Sequence, residues 1–594
     1  MQRLPSLTRR RFIEGFATSA GAASLGRFSN AAEPPVAEPE VLRAAEVDLA
    51  IGERAANFTG RARHATVVNG SLPAPTLRWR EGDTVTIRVH NELAEQTSIH
   101  WHGLVLPANM DGVPGLSFHG IAPGETFTYR FPLRQSGTYW YHSHSAFQEQ
   151  LGLYGALVIE PREPEPFAYD REHVVLLSDW TDRDPLALYL LLKRHSDYFN
   201  YQKRTLGDFT RDAKRDGLSA ALAERREWAR MRMQPSDLAD VSGAAYTYLM
   251  NGRAPAGNWT GLFRPGERVR LRFINGSSMS TFDVRIPGLQ MTVVASDGQN
   301  VHPVTVDEFR IATAETFDVL VTPSGADAFT IFAQSLDRTG HARGTLAVAE
   351  GLTAPVPEMD RIVYLTVADM GHGAAASGGV DHASHAAPPV VAPPAAEHAE
   401  HAGHGAAAPA SEHAAHGGGA AVEHAASEHR NPGVDMQATA PAPKLSDPGI
   451  GLRDNGRRVL TYADLHSLFA DPDGREPERT IELHLTGHME RFMWSFDGIP
   501  FASAEPLALR YGERVRIRLV NDTMMSHPIH LHGMWSDLED EAGGFLVRKH
   551  TVSMPPGTQR SYRVTADALG RWAYHCHLLF HMEAGMFREV RVDG

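Results

Sequence analysis

Hydrophobic and polar residues alternate one by one along three stretches of the chain. In the first, Val85, Ile87 and Val89 alternate with Thr84, Thr86 and Arg88 between Gly82 and Asn91. In the second, Val269, Leu271 and Phe273 alternate with Arg268, Arg270 and Arg272 between Gly266 and Asn275; in the third, Val515, Ile517 and Leu519 alternate with Arg514, Arg516 and Arg518 between Gly512 and Asn521. A period of two is that of a strand with one buried face. Three copies of one line predict three related β domains. Further strand patterns follow, such as residues 126–131 and 561–564, separated by Gly and Pro turns. They predict an all-β fold of Greek-key β-sandwich domains, with expected bounds 45–165, 170–352 and 450–594.

Two segments break the pattern. Residues about 185–238 have helix-forming composition with mixed charge, as in Ala220 to Ala229, and predict a helical insertion whose charges form a solvated face. Residues 371–443 are dominated by Ala, Gly, Pro and His, without the Leu, Ile and Phe a core needs, and predict a disordered, flexible His-rich linker. At the N-terminus Arg9, Arg10 and Arg11 precede Phe12, a mildly apolar stretch and the small residues Ser29 to Ala32. Residues 1–31 therefore read as an export signal, and the paired arginines resemble the twin-arginine type, which carries folded proteins to the periplasm.

At 594 residues the chain is too long for a single core, in keeping with three domains. Lys plus Arg total 57 against 71 Asp plus Glu, a net charge of -14 that argues against a nucleic-acid partner. No later apolar run reaches membrane-spanning length. Cys576 is the single cysteine, so no intrachain disulfide can form.

The neighbours of Cys576 give it another use. Four histidine clusters stand out: His100 and His102; His142 and His144; His527, His530 and His532; and His575, His577 and His581 around Cys576. All lie in the first and third domains. Residues two apart on a strand share a face, so each His-x-His pair offers two imidazoles to one site or to adjacent metals. One pair could be core histidines; four together point to metal. A thiolate, two imidazoles and a distant thioether form the ligand set of a blue electron-transfer copper. Cys576, His581 and Met586 lie on one short loop, and His527 completes that set.

This spacing resembles the multicopper oxidases, and the resemblance implies cupredoxin-like domains. Further stretches, Tyr248 to Gly252, Ile286 to Val294 and Trp535 to Glu541, are similar to the CopA-type periplasmic copper-resistance oxidases of bacteria. The resemblance implies four copper ions and dioxygen as acceptor. It assigns His527, Cys576, His581 and Met586 to type 1 copper, His100 and His530 to type 2, and His102, His142, His144, His532, His575 and His577 to the type 3 pair. It also makes Asp111 a proton relay. The second domain carries Phe282-Asp283 and Phe332 to Ser335 where its sisters carry histidines, and is expected to be copper-free. Many relatives place a carboxylate where this chain has Met582, which leaves a second relay acid in doubt, with Glu583 adjacent.

For the donor, the resemblance implies cuprous ion, with a small organic reductant such as a phenol as the laccase-like alternative. Copper sequestration without turnover is a further alternative, and a nitrite reductase fits poorly. Met524, Met525 and Met534 are candidate soft ligands for Cu(I), set against an ordinary core role. Asp537, Glu539, Asp540 and Glu541 could draw cations or form a solvated loop. The linker holds ten histidines, His372, His382, His385, His398, His401, His404, His413, His416, His424 and His429, expected to bind extra copper.

Overall fold

The computed structural model describes residue 37 and residues 39–372 and 424–594. The chain is mostly β, in three sandwiches of two sheets each. The repeated line occupies the same place in all three. Thr84–Asn91 lies parallel to Glu46–Ala56 and antiparallel to Thr126–Pro132. Val269–Asn275 lies parallel to Arg171–Trp180 and antiparallel to Thr316–Val321. Arg514–Asn521 lies parallel to Arg479–His488 and antiparallel to Gln559–Thr565.

The asparagine ending each line has one job in all three domains. Asn91, Asn275 and Asn521 each accept from the amide two residues on, and each donates to two backbone carbonyls further along the chain. Each net bond is worth about 1 kcal/mol. Asparagine suits the place because its amide donates twice while its oxygen closes the turn.

One-sided burial holds for the first copy, where Val85, Ile87 and Val89 are buried and Thr84, Thr86 and Arg88 are not. The second copy is buried on both faces. Arg270 and Arg272 point outward from their own sandwich toward the first; Asp318 of the second sandwich binds both guanidiniums and accepts from Thr138 of the first, which also accepts from Arg272. The alternation does mark a strand, and its polar face is internal because the sandwiches pack on one another.

Helices occupy Pro185–Leu192, Leu206–Asp216 and Leu218–Met231, where the insertion is expected. The first is capped by Asp184, whose side chain accepts from Ala187 N at 2.7 Å. The insertion is tied to the third sandwich: Lys193 donates to Phe492 O at 2.9 Å, and Tyr189 packs near Phe580 and Phe492.

The linker expectation needs correction at its C-terminal end. Residues 424–443 are placed against the third sandwich, with Met436 and Ala438 buried and Ala438 N donating to Asp522 Oδ1 at 2.7 Å. Few large apolar side chains are needed there, because backbone and polar side chains supply the attachment. Residues 373–423 of the expected linker and the export signal lie outside the described residues. Among the described residues no helix is long and apolar enough to cross a membrane.

Candidate metal centre

Strand parity places the histidine pairs. His100–His102 pairs with Gly137–His142 so that His100 faces His142 across the ladder. Trp101, between the two imidazoles, turns the other way into Tyr129, Phe131 and Tyr141. In the third sandwich His530 lies opposite His575 and Ile529 opposite Cys576. Glycine ends both outer pairs: Gly103 and Gly533 have φ of +81° and +71°. A Cβ at Gly103 would come within 2.5 Å of the His550 ring, and one at Gly533 within 2.4 Å of Trp572.

The two ends of the chain meet here. His102 stacks on His530 and His100 on His532, each with ring centroids 3.8 Å apart. His142 Nε2 is 3.3 Å from His577 Nε2, and His144 Nε2 is 3.4 Å from His575 Nε2. All eight imidazoles are buried.

Their outer partners decide which nitrogen carries the proton. The Nδ1–H groups of His100, His530 and His575 donate to the carbonyls of Asp111, His550 and Cys576. That of His532 donates to Asp111 Oδ2 at 2.8 Å, and that of His142 faces Ser143 O and Glu149 Oε2. A neutral ring so engaged presents a lone pair at Nε2. His532 Nε2 and His575 Nε2 are 3.1 Å apart, two lone pairs face to face with no proton between them. His100 Nε2, His530 Nε2 and His102 Nδ1 are buried with no hydrogen-bond partner. Protonation is no remedy, because burial and the neighbouring rings hold His102, His142, His144, His530, His532 and His577 well below the ordinary imidazole range, and His575 at about 4. Converging neutral lone pairs fit a cage for metal cations.

A second set lies beside it. Cys576 Sγ is 3.5 Å from His527 Nδ1 and 3.8 Å from His581 Nδ1, and the two nitrogens are 3.1 Å apart. Met586 closes the loop through backbone bonds, accepting from Cys576 N and donating to His581 O. Burial pushes the thiol well above its usual range, so a thiolate here calls for a bound cation. One thiol and two imidazoles within 4.8 Å of one another form a donor set suited to copper.

Several groups at these sites escaped the sequence analysis. His581 Nε2–H donates to Asp240 Oδ2 at 2.8 Å, and Asp240 follows the helical insertion. Thr523 Oγ1 lies 2.7 Å from His527 Nε2, and His550 Nδ1 3.1 Å from His102 Nε2. Glu149 supplies a carboxylate beside the cage, 2.8 Å from His142 Nδ1. No local motif marks these residues. Glu583, the acid next to Met582, is pushed up to about 7 by burial.

Other candidates fall elsewhere. Met524, Met525 and Met534 are all buried, and Met525 also lines a cleft, shared with Asp240, Met279 and Leu578. Asp537 and Glu539 are neither a solvated loop nor a free acidic patch: Asp537 pairs with Arg548, and Glu539 with Arg516 and Arg563, because strand alternation turns them inward against guanidiniums. Asp540 and Glu541 are exposed. In the second sandwich Asp283 is ion-paired with Arg310 and Arg338.

Comparison with known proteins accords with this arrangement. Family models described as multicopper oxidase match residues 50–164, 171–351 and 474–594. The chain belongs to the multicopper oxidase family and is an oxidoreductase that uses copper. Copper resistance protein A of Escherichia coli is 62% identical over 99% of both chains, and that of Pseudomonas syringae pv. tomato is 62% identical over 99% of both. These matches place the chain in the copper resistance protein A branch of the family. The crystal structure of Fet3p, a multicopper oxidase that functions in iron import, shares the fold, with a TM-score of 0.62 at 19% identity over 93% of this chain and 91% of that one.

Proposed function

We propose that this chain is a periplasmic oxidase of copper resistance, sent out by the twin-arginine route, that oxidises cuprous ion at the expense of dioxygen. His527, Cys576, His581 and Met586 would hold a type 1 copper. His100 and His530 would hold a type 2 ion, and His102, His142, His144, His532, His575 and His577 a type 3 pair. Bound copper supplies the one-electron chemistry of the overall reaction, in which four Cu(I), one dioxygen and four protons give four Cu(II) and two waters.

The protein's own part is positioning and proton handling. Cys576 is peptide-bonded to His575 and His577, so the thiolate set is covalently continuous with the cage. Asp111 touches imidazoles from both halves, His532 Nδ1 at 2.8 Å and His100 Nδ1 at 3.4 Å, which suits a proton relay. The second sandwich serves as a copper-free spacer.

The observation that carries the cuprous reading is the cleft beside His581. Asp240, whose carboxylate accepts from His581, lines it together with Met279 and Met525. Thioethers favour Cu(I), and a carboxylate adds attraction for a cation. Met525→Leu keeps the volume and removes the sulfur. It is expected to raise KM for a Cu(I) complex about tenfold, the equivalent of about 1.4 kcal/mol, while turnover of a phenol stays within a factor of two. Equal losses for both substrates would favour the laccase-like reading.

The histidines at 382–416 would hold additional Cu(II) outside the catalytic set. His372 and His424 both lie near the strap at Ala438 to Ala440: Gly371 O accepts from Ala440 N, and His424 Nε2 is 3.2 Å from Ala438 O. Replacing residues 373–423 by a short Gly/Ser link should thus leave the fold closed. Copper bound per chain should fall while turnover of an organic dye persists; loss of dye turnover counts against this role.

A further inference from the structure

A cluster of four ligand-type side chains lies outside both sets of copper ligands. Asp522 follows the strand Arg514–Asn521, and His484 sits on the neighbouring Arg479–His488, opposite Val520. The strap beginning at residue 424 adds His424 and Glu428, four apart. His484 Nδ1 is 2.6 Å from Asp522 Oδ2 and 3.8 Å from Glu428 Oε1. His424 Nδ1 is 3.1 Å from Glu428 Oε2 and 3.3 Å from Asp522 Oδ2. The side chains of Glu428 and Asp522 are fully buried, and those of His484 and His424 are 3% and 11% exposed.

The outer contacts orient both rings. His424 Nε2 faces the Ala438 carbonyl at 3.2 Å, and His484 Nε2 faces Glu482 Oε1 at 3.4 Å. With Nε2–H donating outward, each neutral ring aims its Nδ1 lone pair at the carboxylates. Two protonated rings would give an ion-pair cluster instead. That account leaves Glu428 Oε1 buried with no hydrogen-bond partner, a cost of about 1–3 kcal/mol. A metal ion between the four groups would satisfy it. Metal bonds of about 2.0–2.2 Å to nitrogen and oxygen put neighbouring donors roughly 3 Å apart, close to the spacings found.

We propose that His424, Glu428, His484 and Asp522 form a further binding site for a divalent transition-metal ion, distinct from the thiolate set and the histidine cage. Two imidazoles and two carboxylates, with no sulfur among them, select Cu(II) over Cu(I), and the stability order of divalent ions puts Cu(II) first. The ion would pin the strap to the third sandwich. It would also sit next to the electron-entry set, since Thr523, beside Asp522, contacts His527.

The test uses the full-length, copper-loaded protein with His382, His385, His398, His401, His404, His413 and His416 changed to Ala, so that those imidazoles do not compete. Titration with Cu(II) alone, followed by calorimetry and electron paramagnetic resonance, is expected to show one further ion per chain with nitrogen and oxygen coordination. In the same background His424→Ala and Glu428→Gln should each weaken that ion at least about tenfold, with the blue absorption unchanged. Absence of a further ion in the parent overturns the proposal, as does equal affinity in the parent and His424→Ala. The parent measurement stands whether or not either variant folds.

Discussion

Cys576→Ser is expected to yield a folded protein with no blue absorption and no catalysed dioxygen uptake. Serine is close to cysteine in size, and the site is fully buried, so packing changes little. The hydroxyl, however, cannot supply the thiolate to which His527 Nδ1 and His581 Nδ1 are pointed. The loss in turnover should exceed the roughly 10- to 100-fold typical of removing an outer partner of a metal ligand. Visible absorption and an oxygen electrode, with circular dichroism as the check on folding, decide the matter. Blue colour surviving in this variant would remove the basis for the electron-entry site.

Asp111→Asn is expected to separate electron entry from dioxygen reduction. Asp111 holds His532 Nδ1–H through Oδ2 and His100 Nδ1–H through its own carbonyl, while Oδ1 is buried without a hydrogen-bond partner. The amide preserves shape and the carbonyl bond to His100. It removes the charge and the titratable oxygen that faces His532 Nδ1–H. Blue absorption and reduction by the donor should stay near the parent's, while reoxidation of the reduced protein by dioxygen slows by about 10²-fold or more. Stopped-flow mixing of reduced protein with dioxygen reads this directly. Parent-like reoxidation would move the relay to another group, with Glu149, 2.8 Å from His142, the next to examine.

What could be read from the sequence follows from the range of each signal. The strand line ending in Asn91, Asn275 and Asn521 is local, and it located all three sandwiches. The histidine pairs were legible for the same reason, since strand parity puts His100 and His102, or His530 and His532, on one face. Asp240 was hidden because its partner His581 lies 341 residues away, and no periodicity links them. His550 reaches His102 across 448 residues. The attachment of the strap at 424–443 is invisible to composition, which measures the apolar content of a core, whereas this segment is held by Asp522, Ala438 and the backbone near Gly371. The inward turn of Asp537 and Glu539 is not legible in the sequence, because the arginines that face them lie in neighbouring strands, distant along the chain.

The meeting of His142 with His577, and of His144 with His575, sets an order of events in the life of the molecule. Of the eight cage imidazoles, four come from residues 100–144 and four from residues 530–577. A chain still emerging from the ribosome offers at most half a cage, whose paired lone pairs lack the opposing set. Firm retention of metal there must await the last strands of the polypeptide, which makes loading an event of the finished fold rather than of its synthesis.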